Sequence, residues 1–469
     1  MKFFAILFFL SFFITLKSVW GQVDSNLTLS YRLINSTDSF AILLSHSGDI
    51  TRRIDTAFRQ ENDLYVFNNI ERFPTGSYTV YFNDSTYTEI VLNKETIVLE
   101  AHIDNILPSM KVIQSVDNQL LFEYWRYAYI IQDTISHYVY KMNQLQRLED
   151  YEQRPDYLSY EKKVKILNDF LFNTVRKMMS NHPQAFSPKL LMAYQLPDYD
   201  RYKRELGSQI SEYEDNLAFL KEHYFDYLDF SDTRFLNTKV LHSMISDYIK
   251  IFANPANTAN YKAIIDFVLE KAKVNNDIYN YCISLFVRNF DNTIWEEVFI
   301  YTVENYYRSS DLRTSSMSRY YFEKVEFVKK LKPGHPAPEF SLSDTNGVVF
   351  SLKEIKAKAK VIIFYSGDCP HCEQAMPGLI EIYNQYKISD VAFVGIALDD
   401  EMDIWKASLR KQSIPWLSLS DLKGLVSPAA EAYNIWMTPT IYILDENNII
   451  RSKPNTDAEI HASLLQIIY

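Results

Sequence analysis

Between about residues 24 and 105, apolar and polar positions alternate with a period of two. In Ser77-Tyr78-Thr79-Val80-Tyr81-Phe82, the positions Tyr78, Val80 and Phe82 share one face of an extended segment. Asn83-Asp84-Ser85 supplies a turn. Thr86 to Leu92 reads as the return strand and Glu95 to Ala101 as another. The pattern predicts a small antiparallel sheet or sandwich. From about 115 to 330 the period changes to three and four. Val164, Leu167, Leu171, Val175 and Met178 make one apolar stripe, and Ile264, Ile265, Val268, Leu269 and Ala272 make another. This zone predicts helices. Leu331 to Pro338 then holds three prolines and a glycine, which cannot continue a helix. Beyond it, strand and helix patterns alternate. Val361 to Tyr365, Val391 to Ala397 and Ile441 to Leu444 are continuous apolar runs, as in strands buried on both faces. Helical patterns lie near Cys372 to Tyr386, Met402 to Gln412 and Leu422 to Tyr433. That order predicts an α/β sheet with helices on both faces.

The first residues are an address. Phe3 to Leu16 follows Met1-Lys2 and is apolar apart from Ser11 and Thr15, with Val19 and Gly21 after it. A short positive start, an apolar stretch and small residues read as a secretory signal peptide over 1–21. The alternative, an uncleaved anchor, needs a span of about 20 apolar residues, and this one is shorter. The mature chain is therefore expected to be exported, with no membrane span after cleavage. The expected domains are 22–110 (β-rich), 111–330 (α-helical) and 331–469 (α/β).

Composition narrows the function. The chain has 469 residues, room for about three domains. Lys and Arg number 48 against 59 Asp and Glu, a net charge of −11. Nucleic-acid binding needs clustered basic residues, so no nucleic-acid partner is expected. Only 10 glycines are present, and neither GxGxxG nor GxxxxGK[ST] occurs, which removes the common phosphate cradles. No cofactor is expected. Three cysteines cannot build a disulfide framework, but they can make one pair with one left over. Cys282, in a helical pattern, reads as a buried small hydrophobe.

The chemistry sits at Cys369-Pro370-His371-Cys372. Two residues between cysteines at a strand-to-helix junction bring both sulfurs within disulfide range. Cys369 would stand at the helix N-terminus, where unpaired N–H groups and the dipole favour its thiolate. Cys372, one turn in, is more covered and would resolve a mixed disulfide formed on Cys369. Pro370 suits the first helical turn, and a protonated His371 would stabilise the thiolate further. Asp368 works the other way. A zinc site would want four ligands, and a static disulfide is the other alternative; the position after a buried strand favours redox chemistry and no metal. Met437-Thr438-Pro439-Thr440 precedes another buried strand. A cis bond before Pro439 would turn the Thr438 backbone towards the pair and offer it to an extended substrate.

Residues from about 332 to 469 resemble the redoxin (TlpA/AhpC-TSA type) domain of exported thiol-disulfide oxidoreductases. The resemblance is carried by Pro333 to Leu342, Asp344 to Gly347, the Cys369–Cys372 motif with Pro377, Asp399, and Met437 to Ile441 running to Asp445. Tyr365 to Cys372 is similar to a Bacteroidota subgroup with Asp, here Asp368, in place of the usual Trp before the first Cys. In that subgroup a β-domain and a helical domain precede the redoxin. The resemblance implies a thioredoxin fold, a periplasmic setting, and exchange with protein thiols and disulfides and with a further redox partner. Two positions depart from it. Thioredoxins place a buried acid where Ile363 stands, and cytochrome-maturation reductases place a Glu where Ala375 stands. The proton acceptor for Cys372 is thus not identified from the sequence. The expected function is an exported thiol-disulfide oxidoreductase working through Cys369 and Cys372. The alternative is a scaffold protein whose last domain is a docking module with a structural disulfide.

Overall fold

The computed structural model describes residues 26–207, 212–255 and 257–469. The expected signal peptide over 1–21 lies outside the described residues. The chain forms two compact units. One holds the chain up to Ala253 with Lys271–Ile278, and the other holds Asn254–Glu270 with Tyr279–Tyr469.

The first unit begins with strands β1 (Thr28–Ile34), β2 (Phe40–Ser47), β3 (Ile50–Phe58), β4 (Leu64–Asn68), β5 (Gly76–Asn83), β6 (Thr86–Leu92) and β7 (Ile97–His102). A short helix α1 (Ile106–Ser109) and strand β8 (Lys111–Gln114) follow. They make two four-stranded sheets, ordered β4-β1-β7-β8 and β3-β2-β5-β6. Both sheets feed one core: Tyr31, Tyr65 and Leu99 from the first meet Leu43, Val80 and Phe82 from the second. The alternating pattern therefore reads as expected, a sandwich with one face of each sheet inward. One pairing differs from the antiparallel expectation. β1 runs parallel to β7, Tyr31 opposite Leu99. The partners are some 70 positions apart, so no hairpin constrains their direction.

Helices α2 (Val116–Leu145), α3 (Pro155–Asn181), α4 (Ser187–Ala193), α5 (Tyr199–Leu206), α6 (Asn216–His223) and α7 (Val240–Phe252) complete this unit. Ser115 caps α2 by accepting from Asn118 N at 3.1 Å. The Asn118 side chain then bonds both backbone groups of Val91 on β6, tying the helix to the sheet. Val175 and Met178 of the predicted stripe are buried on α3.

Helices α8 (Thr258–Ala272) and α9 (Asn276–Phe290) lie where the chain passes between the two units. Ile264, Ile265, Val268 and Leu269 are buried on α8, as their spacing predicts. The second unit continues with α10 (Glu296–Asn305), α11 (Ser318–Lys329), β9 (Ser341–Ser343), β10 (Val349–Ser351), β11 (Ala359–Tyr365), α12 (Pro370–Tyr386), β12 (Val391–Ala397), α13 (Met402–Gln412), β13 (Leu417–Leu419), α14 (Pro428–Ala432), β14 (Thr440–Asp445), β15 (Ile450–Ser452) and α15 (Asp457–Ile468). The sheet order is β13-β12-β11-β14-β15. β11 pairs parallel to β12 and antiparallel to β14. All seven β11 residues are buried. Val361, Ile363 and Tyr365 face a core with Met376, Leu379, Trp405 and Leu464 from the helices. Ile362 and Phe364 face the other core.

The sheet does carry helices on both faces, α12, α13 and α15 on one and the short α14 on the other. The second face is covered by Phe340, Leu342, Ala429, Ala430 and Tyr433, from the β9–β10 hairpin region and the five-residue α14. One expectation needs correction here. The helix expected over Leu422 to Tyr433 is instead a 3-10 turn (Gly424–Val426) followed by α14. Gly424 takes a φ of 59°, and Pro428 forces a new helix start, so the stretch cannot be one helix.

Candidate active site

β11 ends at Tyr365 and α12 begins at Pro370, leaving Ser366-Gly367-Asp368-Cys369 as the turn between them. Cys369 caps α12. Its backbone is extended (φ −89°, ψ 112°), and its sulfur accepts from Cys372 N at 3.2 Å. Pro370 occupies the first helical turn, where its missing N–H costs nothing. The Cys369 thiol also donates to Thr438 O at 3.3 Å. The Thr438–Pro439 bond is cis, as the sequence predicts. Cys369, Cys372, Pro370, His371, Thr438 and Pro439 are thus gathered at one end of the sheet, where open α/β sheets place their sites. Cys369 is half-buried, Cys372 is fully buried and His371 is exposed. All three cysteines are free thiols.

The two thiols differ electrostatically. Burial pushes the Cys369 thiol up. Hydrogen bonds from the Cys372 and Thr438 side chains and from the backbone N–H groups of Cys372 and His371 outweigh that effect and hold it below the ordinary thiol value. The His371 backbone N–H is one of these donors, and any residue at this position except proline would supply it. Burial pushes the Cys372 thiol up to about 12, and the charge of Cys369 adds to the rise. Of the pair, Cys369 is thus the sulfur that more readily reacts as a thiolate. Cys282 is fully buried on α9, away from this turn in sequence and in character, and burial raises its thiol far above the usual range.

Ile363 is fully buried in an apolar core. Glu373 points outward, pairing with Lys411 on α13 at 2.9 Å, and both side chains are more than half exposed. A buried acid outside the turn, Asp399, follows β12 and accepts from Gly367 N at 2.7 Å and Ser366 Oγ at 3.0 Å. The sequence marks Asp399 as one of the positions that carry the redoxin resemblance, with no role assigned to it. What it grips lies 32 and 33 positions away. Among the described residues no group of three or more His, Cys, Asp or Glu is placed to hold a metal ion. None of their helices is long and apolar enough to cross a membrane.

A groove of about 600 Å³ opens beside the pair. His371, Trp436, Met437 and Pro439 line its near end, and Ile294 and Glu296 line its far end. An ion pair between Lys453 and Glu296 at 2.7 Å, with both side chains about three-quarters buried, joins the α10 start to the sheet side of this groove. The sequence does not foretell that wall, since its two sides lie far apart in the chain.

Residues 333–453 match the AhpC/TSA family model. Over 128 residues the chain is 33% identical to the thiol-disulfide oxidoreductase ResA of Bacillus cereus, spanning 27% of this chain and 70% of that protein. The chain belongs to the AhpC/TSA family. This AhpC/TSA protein is a thioredoxin-fold thiol-disulfide oxidoreductase by that kinship. It is also 29% identical to the thioredoxin-like protein YneN of Bacillus subtilis over 123 residues, 26% of this chain and 70% of that one. Residues 176–330 match a domain of unknown function, DUF5106. Among solved structures, a thioredoxin-like protein from Bacteroides caccae aligns over 58% of this chain and 98% of its own, at 20% identity and a TM-score of 0.42.

Proposed function

We propose that this AhpC/TSA protein is exported and exchanges disulfides with protein substrates through Cys369 and Cys372. The observation that carries the reading is the asymmetry of the pair. An accessible, low-pKa sulfur sits at a helix start, and a buried, high-pKa sulfur stands one turn behind it. In the reducing direction, the Cys369 thiolate attacks one sulfur of a substrate disulfide. A mixed disulfide forms, and the other substrate sulfur leaves as a thiolate that takes up a proton. Cys372 then gives up its proton and attacks Cys369 Sγ, releasing the second substrate thiol and closing the Cys369–Cys372 disulfide. A further redox partner returns the pair to the dithiol. The same steps run in reverse when the pair starts oxidised.

The 600 Å³ groove supports a polypeptide as substrate, because it extends the contact surface well beyond the sulfurs. Thr438 is the docking backbone in this reading. Pro370 and His371 tune the pair, and no metal takes part. Residues 1–21 are the export signal. The division at 331 is supported by the junction of the two matched stretches at 330 and 333.

Dithiol-driven reduction of a disulfide-bonded polypeptide tests the proposal. The intact protein is expected to accelerate the reaction, and Cys369→Ser is expected to return it to the uncatalysed rate. An intact protein that gives no acceleration would leave the scaffold alternative standing, and a Cys369→Ser protein that retains full activity would refute the role of Cys369.

A further inference from the structure

Asp399 is a carboxylate that the exchange steps leave unused, and it is built into the turn that presents Cys369. It is 4% exposed. Its Oδ1 receives both the Gly367 N–H and the Ser366 hydroxyl, while its buried Oδ2 meets no donor among the described residues. Burial, with the charges of Asp368 and Asp400, raises its carboxyl above the usual carboxylate range, and the two hydrogen bonds oppose the rise. Burying an acid with one oxygen unserved is costly, so the two bonds it does make carry the argument for its presence. The fit is close. A Cβ on Gly367 would stand 3.0 Å from Ser408 Cβ and 3.2 Å from both Asp399 Oδ1 and Ile404 Cγ2. Glycine is what lets the turn reach the carboxylate.

One gripped residue, Ser366, reaches both cysteines through its main chain, Cys369 at its backbone N–H and Cys372 at its sulfur. Cys369 N donates to Ser366 O at 3.3 Å, and the Ser366 backbone also bonds the Cys372 sulfur and lowers its thiol pKa. We propose that Asp399 is a positioning residue for the redox pair, fixing through Ser366 and Gly367 the turn that sets the Cys369 sulfur over the start of α12. The proposal rests on Cys369 as the attacking thiol. Charge-assisted hydrogen bonds are roughly twice as strong as neutral ones, which suits a carboxylate to holding two donors on one oxygen. Its charge acts in the opposite sense, because a nearby negative charge disfavours a thiolate. Position and charge thus predict opposite signs when Asp399 is replaced.

The test follows alkylation of Cys369 by iodoacetamide against pH in the reduced full chain. No substrate is involved, so its failure is separate from a failure of turnover. Asp399→Ala loses both bonds and the charge; it is expected to slow alkylation below the thiol pKa at least threefold. Asp399→Asn keeps the acceptor oxygen and is expected to react as fast as the parent or faster. An Asp399→Ala protein that reacts as fast as the parent, or faster, would overturn the proposal, since charge alone would then govern. If Asp399→Ala does not fold, Ser366→Ala removes one bond and no charge. Slower alkylation of that variant supports the proposal, and an unchanged rate overturns it.

Discussion

Limited alkylation of the reduced protein at pH 7 puts the asymmetry of the pair to a quantitative test. The Cys372 thiol lies at about 12, while Cys369 is held below the ordinary 9.0. The separation is at least about three units, roughly a thousandfold in thiolate population. A thiolate of lower pKa is intrinsically less nucleophilic, with a Brønsted slope of about 0.4–0.5, which returns ~1.2–1.5 log units to Cys372. Cys369 is left faster by about 30- to 60-fold. Access widens the gap further, because Cys372 is fully buried and Cys369 is half-buried. Peptide mass spectrometry after substoichiometric iodoacetamide reads the ratio directly. Cys282, fully buried, serves as the internal control and should label only on unfolding. Comparable labelling of Cys369 and Cys372, or faster labelling of Cys372, would refute the assignment of attacking and resolving thiols.

Replacing His371 by Ala is expected to make the pair more reducing, since a protonated ring favours the thiolate form. The ring is exposed and the backbone N–H remains, so the shift in potential should stay under ~30 mV, and a shift to more oxidising values would contradict the role. In the β-sandwich, burial and then the Lys239 charge lower His46 from 6.5 to about 4. Its contribution to stability is therefore full above pH 6.5 and is lost as pH falls towards 4, at most ~3 kcal/mol. Hydrogen-exchange protection of β2 and β5 should fall over that range, and His46→Gln should flatten the dependence; an unchanged slope would refute it. A Cβ at Gly76 would meet Asn237 O at 2.3 Å. Gly76→Ala should cost about 1–3 kcal/mol, seen as a lower unfolding temperature of the first unit, and an unchanged midpoint would show that the contact yields.

What the chain reveals before folding follows the range of the interactions. The β11 run was legible because burial on both faces leaves no polar position, and the structure puts Ile362 and Ile363 in different cores. The Cys369–Cys372 spacing was legible because one helical turn separates the sulfurs. Thr438-Pro439 was legible as a turn partner, and its carbonyl meets Cys369. The β9–β10 hairpin escaped notice because three-residue strands carry too little periodicity to register. The parallel pairing of β1 with β7 escaped it because nothing local encodes direction between distant strands. Asp399 could be seen as an acid, yet its role depends on donors across a parallel strand pair, which no local pattern reports.

The central claim is that Cys369 forms the covalent link with a substrate sulfur and Cys372 releases it. Trapping tests this most directly. Cys372→Ser protein, incubated with a disulfide-bonded polypeptide, should accumulate an adduct that maps to Cys369 and disappears with excess dithiothreitol, while Cys369→Ser should form none. If Cys372→Ser gives no adduct, or Cys369→Ser gives an equal one through Cys372, the account is wrong.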